Sequence, residues 1–222
     1  MLVMALDTAL QRCSVAILRG GEVLADESAG MERGHAEHLA PMAAAALAKA
    51  GVAVRDLDRI GVVVGPGGFT GVRVALSFAR GLGVGTGVPV AGVTSLAALA
   101  AATGAPLTAA VIDARRGQVY AALYGEGGEI LIPPFVAEPE KALKSLAEKA
   151  AGAPVAMTGS GALLLGPAPK GWALSGGEDI DAKAVARLAA AAPAPCGPPA
   201  PLYLRAPDAK PGRPGLFEGA GK

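Results

Sequence analysis

One order of elements is written twice along this chain: three β-type runs, a helix, a buried strand, then a glycine turn. In the first half, residues 2–6 are apolar and stop at Asp7-Thr8. Residues 13–18 are rich in β-formers, Gly20-Gly21 makes a turn, and residues 22–27 continue as a third strand. Two runs joined by Gly-Gly read as a hairpin, so three antiparallel strands open the chain. A helix over 34–50 follows, with Gly51 placed to close it, because glycine takes the left-handed cap conformation without steric cost. Residues 60–64 are apolar without a break, as in a strand buried on both faces. They lead into Gly65-Pro66-Gly67-Gly68-Phe69-Thr70-Gly71 and a helix over 72–84, whose Val72, Ala75, Leu76, Ala79 and Leu82 share one stripe. Residues 88–93 read as another buried strand, and Thr94 or Ser95 can cap a helix running to 102.

Gly104-Ala105-Pro106 marks a boundary. Beyond it, residues 107–112 and 118–124 read as strands around Asp113-Ala114-Arg115-Arg116-Gly117, residues 129–136 as a third strand, and 138–151 as a helix. Residues 155–158 lead to a second glycine turn, Gly159-Ser160-Gly161, and a last helix over 181–192 stops at Pro193. The repeated order resembles the RNase H-like unit used twice in the actin, Hsp70 and sugar kinase superfamily. The expected class is therefore α/β with an actin-like (ASKHA) fold: two RNase H-like subdomains with mixed sheets, over 1–103 and 104–205. Alternating β and α elements alone also allow a doubly wound sheet, but three consecutive opening strands argue against it. Residues 206–222 are rich in Pro, Gly and Ala without periodicity and are expected to form a flexible tail.

Composition excludes several classes. A net charge of +1, from 20 basic and 19 acidic residues, gives no basic excess for gripping phosphates. With one Trp, three Tyr and four Phe there is little to stack on bases. Any tRNA is expected to be held by a partner. Cys13 and Cys196 are far apart and lack CxxC spacing, so neither a disulfide framework nor a zinc site is expected. The opening residues reach Asp7 too early for a signal peptide, and no apolar run is long enough to span a membrane. A cytoplasmic, membrane-free protein is expected.

Five features can carry chemistry. Asp7-Thr8 can hold a metal-bound water near a phosphate, or can simply order a turn, the commoner use of these residues. In residues 65–71, glycines can turn backbone N–H groups toward an anion at a helix N-terminus. The alternative is a tight turn without ligand. No Lys-Ser or Lys-Thr follows, which excludes Walker A, and Pro89 to Val93 stand where a dinucleotide site needs its carboxylate. Gly159 and Gly161 can approach a nucleotide closely, though a lone glycine turn says little. His35 and His38 share a helical face, with Glu32 and Glu37 nearby, but two imidazoles make an incomplete zinc site. Finally, residues 39–48 carry no charge. A helix apolar nearly all round is covered on more than one side, here by the sheet and by a protein partner.

Several separated segments resemble the TsaB (YeaZ) family: MALDTALQRCSVAIL at 4–18, HAEHLAPM at 35–42, IGVVVGPGGFTG at 60–71, PVAGVTSLAAL at 89–99, DARRGQVYAALY at 113–124 and PLYLR at 201–205. The resemblance implies a pseudoenzyme, the non-catalytic scaffold subunit of the tRNA threonylcarbamoyladenosine machinery, heterodimerising with a TsaD-like catalytic subunit and working with a TsaE-like ATPase. It implies that tRNA is met only through the complex, that the isolated chain can homodimerise, and that no cofactor is bound tightly, with ATP or ADP held in the assembled complex. The nucleotide-facing candidates are Asp7, Thr8, Gly65, Gly67, Gly68, Thr70, Gly71, Gly159 and Gly161. The partner-facing candidates are Leu39, Met42, Ala43 and Ala46 on the first helix, and Arg73, Ser77, Phe78 and Arg80 on the second. The family's usual serine is Gly68 here. TsaD carries a metal-binding HxxxH segment where this chain reads Gly92-Val93-Thr94-Ser95-Leu96, and without imidazole ligands that metal site cannot form. No catalytic or metal residue is therefore assigned. An actin-like ATPase or sugar kinase would show a DxG turn in the second half, where Asp113 is followed by Ala-Arg-Arg-Gly. A metallopeptidase would need more than two histidines at i, i+3.

Overall fold

The computed structural model describes residues 1–31, 33–193 and 197–205. The expected tail, Cys196 and Glu32 lie outside the described residues. Strands β1 (Leu2–Asp7), β2 (Arg12–Arg19) and β3 (Glu22–Gly30) pair antiparallel in sequence order, turning at Gly20 and Gly21 with φ of 58° and 95°. Helix α1 (His35–Ala50) ends at Gly51, φ 65°, as its sequence demanded. Strand β4 (Arg59–Val63) then lies parallel to β1, and β5 (Val90–Val93) parallel to β4, giving the order β3-β2-β1-β4-β5.

The second sheet repeats this plan. Strands β6 (Thr108–Arg115), β7 (Gln118–Tyr124) and β8 (Ile130–Ala137) are antiparallel neighbours, α4 (Pro139–Ala150) follows, and β9 (Val155–Thr158) returns parallel to β6. A short β10 (Trp172–Leu174), which the sequence did not suggest, completes the order β10-β9-β6-β7-β8. Two mixed five-stranded sheets of one topology are the actin-like fold.

Helix α2 (Phe69–Thr86) leaves β4, α3 (Ser95–Thr103) leaves β5, and α5 (Ala182–Ala191) ends the ordered α/β part. In α3, Thr94 accepts from the Ala97 N–H at 3.1 Å, the expected cap. Helices α1 and α2 cover one face of the first sheet with Leu39, Ala43, Ala46, Ala75 and Leu76 over Met4, Leu6 and Ile60. Helix α4 covers the far face of the second sheet. Helices α3 and α5 fill the layer between the sheets, and they cross over. Helix α3, from the first half, packs against β6, β7 and β9, while α5, from the second half, packs against β1, β2 and β4.

Small residues make that central layer thin. A β-carbon on Gly61 would stand 2.6 Å from the Ala189 β-carbon, so β4 and α5 approach as closely as glycine and alanine allow. Arg59 anchors the far end of the same helix. Its buried Nη1 donates to the carbonyls of Ala189 and Ala192, each at 2.6 Å. A guanidinium there satisfies the carbonyls left open at a helix C-terminus and opposes its partial negative charge.

Candidate functional site

The glycine turns are built for contact with their own sheets. The Thr8 hydroxyl donates to the Gly71 carbonyl at 2.6 Å and accepts from the Ala75 N–H at 3.2 Å, clamping the start of α2 to the end of β1. A β-carbon on Gly71 would lie 2.0 Å from the Thr8 carbonyl oxygen, and one on Gly67 2.5 Å from that of Ala9. The Gly68 N–H donates to the Ala9 carbonyl at 2.8 Å. Gly65, φ 97°, gives its carbonyl to the Ser95 N–H at the start of α3. The second turn repeats the device. A β-carbon on Gly159 would meet the Val111 carbonyl oxygen at 2.3 Å, and the Gly161 N–H donates to that same oxygen at 3.0 Å. Helix α2 starts at Phe69, inside the glycine motif and ahead of the expected Val72, because extended Gly68 already stands as its N-cap.

The expected nucleotide-facing residues fall in different places. Asp7, Thr8, Gly65, Gly159 and Gly161 are buried. Of the nine candidates, Gly67 and Gly68 line the cleft between the sheets, and Thr70 lines a small groove on the outer side of α2. The glycines answer to steric closeness, a demand that spacing alone does not separate from anion binding.

Asp7 is held under the cleft floor. Its Oδ1 accepts from the Ala9 N–H at 2.9 Å, and its fully buried Oδ2 has no hydrogen-bond partner. Burial pushes this carboxyl up to about 7, the Ala9 N–H opposes the rise, and the charge of Asp179 adds to it. The neighbouring Cys13 thiol is pushed up to about 11, by burial and by Asp7, so it stays protonated near neutral pH.

The cleft itself has a volume of about 1350 Å³. On one wall the Arg73 guanidinium lies 3.3 Å over the Phe69 ring and 5.3 Å from that of Tyr203, and the two rings stack at 5.9 Å. On the other wall Arg115 pairs with Asp113 at 3.1 Å. Reading the sequence for function missed Phe69, Tyr203 and Arg205, all of which line this cleft. The signal for Tyr203 and Arg205 was the PLYLR segment, and for Phe69 its place in the glycine motif.

Of the expected partner-facing residues on α1, three turn inward. Leu39, Ala43 and Ala46 are at most 2% exposed and face their own sheet, and Met42 is half-buried against the same core. The 39–43–46 spacing is one helical stripe, so these residues turn inward together. The exposed face carries Ala36, Ala40, Ala44 and Ala48. On α2, Arg73, Ser77 and Arg80 are exposed and Phe78 is half-buried. Arg80 is tied to its own chain, its Nε donating to the Pro199 carbonyl at 3.0 Å.

A family model described as TsaD: tRNA N6-adenosine threonylcarbamoyltransferase matches residues 23–194. The tRNA threonylcarbamoyladenosine biosynthesis protein TsaB of Escherichia coli is 38% identical over 128 residues, 56% of this chain and 55% of that one. The solved structure of YeaZ from Pseudomonas aeruginosa superposes with a TM-score of 0.71 at 31% identity, covering 85% of this chain and 90% of that one. The chain belongs to the TsaB (YeaZ) family. An uncharacterized protein of Mycobacterium tuberculosis is 37% identical over 218 residues, 94% of each chain, so that likeness runs nearly end to end. Among the described residues, no group of three or more His, Cys, Asp or Glu side chains is arranged to hold a metal ion. No helix among them is long and apolar enough to cross a membrane.

Proposed function

We propose that this chain is the non-catalytic, actin-like partner of a TsaD-like transferase in placing threonylcarbamoyl on tRNA adenosine. The observation that carries this reading is the use of the backbone donors. In each half a glycine N–H is already used by the chain's own backbone, Gly68 bonding the Ala9 carbonyl just after β1 and Gly161 the Val111 carbonyl of β6. A chain built that way supports chemistry done elsewhere. The partner docks on the exposed α1 face, Ala40, Ala44 and Ala48, together with Arg73 and Ser77 of the adjoining α2. Small uncharged side chains let two helices approach closely with little desolvation cost. A second copy of the chain uses the same face when the partner is absent.

The wider assembly follows from this role. A TsaE-like ATPase joins the pair, ATP or ADP is held in the complex, tRNA is met through it, and the setting is the cytoplasm. The lobes, 1–103 and 104–205, are joined because each lends the other a helix. The test is reconstitution with the TsaD-like chain of the same genome. A one-to-one complex by calorimetry is expected, with tRNA modification that stops when either chain is left out. Modification that proceeds without this chain would overturn the reading, and fast ATP hydrolysis by the chain alone would point to a kinase-like enzyme instead.

A further inference from the structure

The last described segment, residues 197–205, crosses from one sheet to the other along the cleft mouth. On the first sheet it is fixed at several points. The Pro199 carbonyl accepts from Arg80, and the Pro199 β-carbon lies 3.1 Å from where a β-carbon on Gly92 would stand. The Leu202 N–H donates to the Val64 carbonyl at 2.8 Å, extending the line of β4. Tyr203 then stacks on Phe69 beside Arg73. On the second sheet the Arg205 side chain holds the segment. Arg205 Nη2 donates to Gln118 Oε1 at 2.6 Å, to the Ala114 carbonyl at 3.1 Å and to the Arg115 carbonyl at 3.4 Å.

The receiving turn suits that role. Arg115, Arg116 and Gly117 all have positive φ, 62°, 55° and 71°, which makes a tight β6–β7 connection with carbonyls turned outward. The Arg115 side chain is directed to Asp113, whose Oδ1 also accepts the Arg115 N–H at 2.7 Å. The Arg115 carbonyl is left for Arg205. All three bonds come from Nη2, whose two N–H groups are shared between the amide oxygen and the neighbouring carbonyls.

We propose that residues 197–205 are a clasp that fastens the cleft rim of the first sheet to the β6–β7 turn through Arg205 and so holds the two sheets at one fixed opening. A protein that binds a ligand between two sheets needs freedom to open and close there. A chain that supports a partner instead gains from a fixed shape, since a preset surface loses less entropy on docking.

The test uses the full chain carrying Cys196→Ser, with spin labels on Glu22→Cys in β3 and Lys144→Cys in α4, both exposed; buried Cys13 stays unlabelled. One narrow label–label distance is expected. Arg205→Ala should broaden it, and amide exchange should rise roughly ten-fold at both 115–118 and 199–203, because the two segments open together. Arg205→Lys should fall between. An unchanged narrow distance, or faster exchange confined to 203–205, would overturn the clasp. If Arg205→Ala does not fold, Gln118→Leu decides: it removes one acceptor and leaves Arg205 in place. A broadened distance supports the clasp, and a narrow one rejects it.

Discussion

The Thr8 hydroxyl holds the Gly71 carbonyl at 2.6 Å, while the Thr8 carbonyl oxygen lies 2.0 Å from where a Gly71 β-carbon would stand. Strand β1 and helix α2 therefore meet with no room for a methyl group. Gly71→Ala should cost at least about 2 kcal/mol, since backbone must move to admit it. Gly68 is different: a β-carbon there meets nothing nearer than 3.5 Å. Gly68→Ser, which restores the family's usual residue at the N-cap, should change stability by no more than about 0.5 kcal/mol, on the stabilising side. Urea unfolding of both variants checks this, and equal losses would reject the steric account.

Arg59 joins β4 to the end of α5 across a separation of 130 residues. Arg59→Met keeps much of the apolar stem but leaves the Ala189 and Ala192 carbonyls without their donor. A loss of about 2–4 kcal/mol is expected. Proteolysis should then cut first near α5. A variant as stable as the parent would show that water replaces the guanidinium without cost.

Asp7 makes a prediction about pH. Its carboxyl, ordinarily near 3.8, is pushed up to about 7 by burial, so the folded chain binds this proton more tightly than the unfolded chain. The contribution is complete below about pH 4 and is lost as pH rises through about 7, by about 4 kcal/mol at most. Asp7→Asn keeps an acceptor for the Ala9 N–H and carries no charge. The variant should therefore gain on the parent in stability between pH 5 and pH 8. Denaturation curves that stay parallel across that range would exclude the effect.

On α1, neighbouring alanines should behave in opposite ways. Ala43 is 2% exposed, and Ala43→Glu should prevent folding by burying a charge. Ala44 is exposed, and Ala44→Glu should leave the unfolding midpoint unchanged while weakening the TsaD-like partner at least about ten-fold by calorimetry. Full affinity in a folded Ala44→Glu chain would remove this face from the interface.

Much of the architecture could be read directly. Three opening strands, the Gly51 stop, the Thr94 cap and the repeated glycine turns are local signals, and the structure realises each. The inward stripe of α1 was also present in the 39–43–46 spacing, but with alanine on every side the sequence did not show which residues its own sheet covers. Other features had no local signal. Trp172–Leu174 is too short to show a period, and only pairing with β9 makes it a strand. Arg59 precedes an apolar run and gives no hint that its partners lie on the last helix. The cleft was harder still, since Phe69, Arg73 and Tyr203 meet only after the chain has folded back on itself.

The exchange of helices between the halves sets a timetable for synthesis. A ribosome has finished Val3, Ala5, Val63 and Val93 long before it reaches residues 182–191, the helix that will shield them. Until then the nascent chain carries a greasy, uncovered sheet of the kind that invites chaperones or clumping. A message broken after α4 would yield a sticky fragment in place of a smaller working protein.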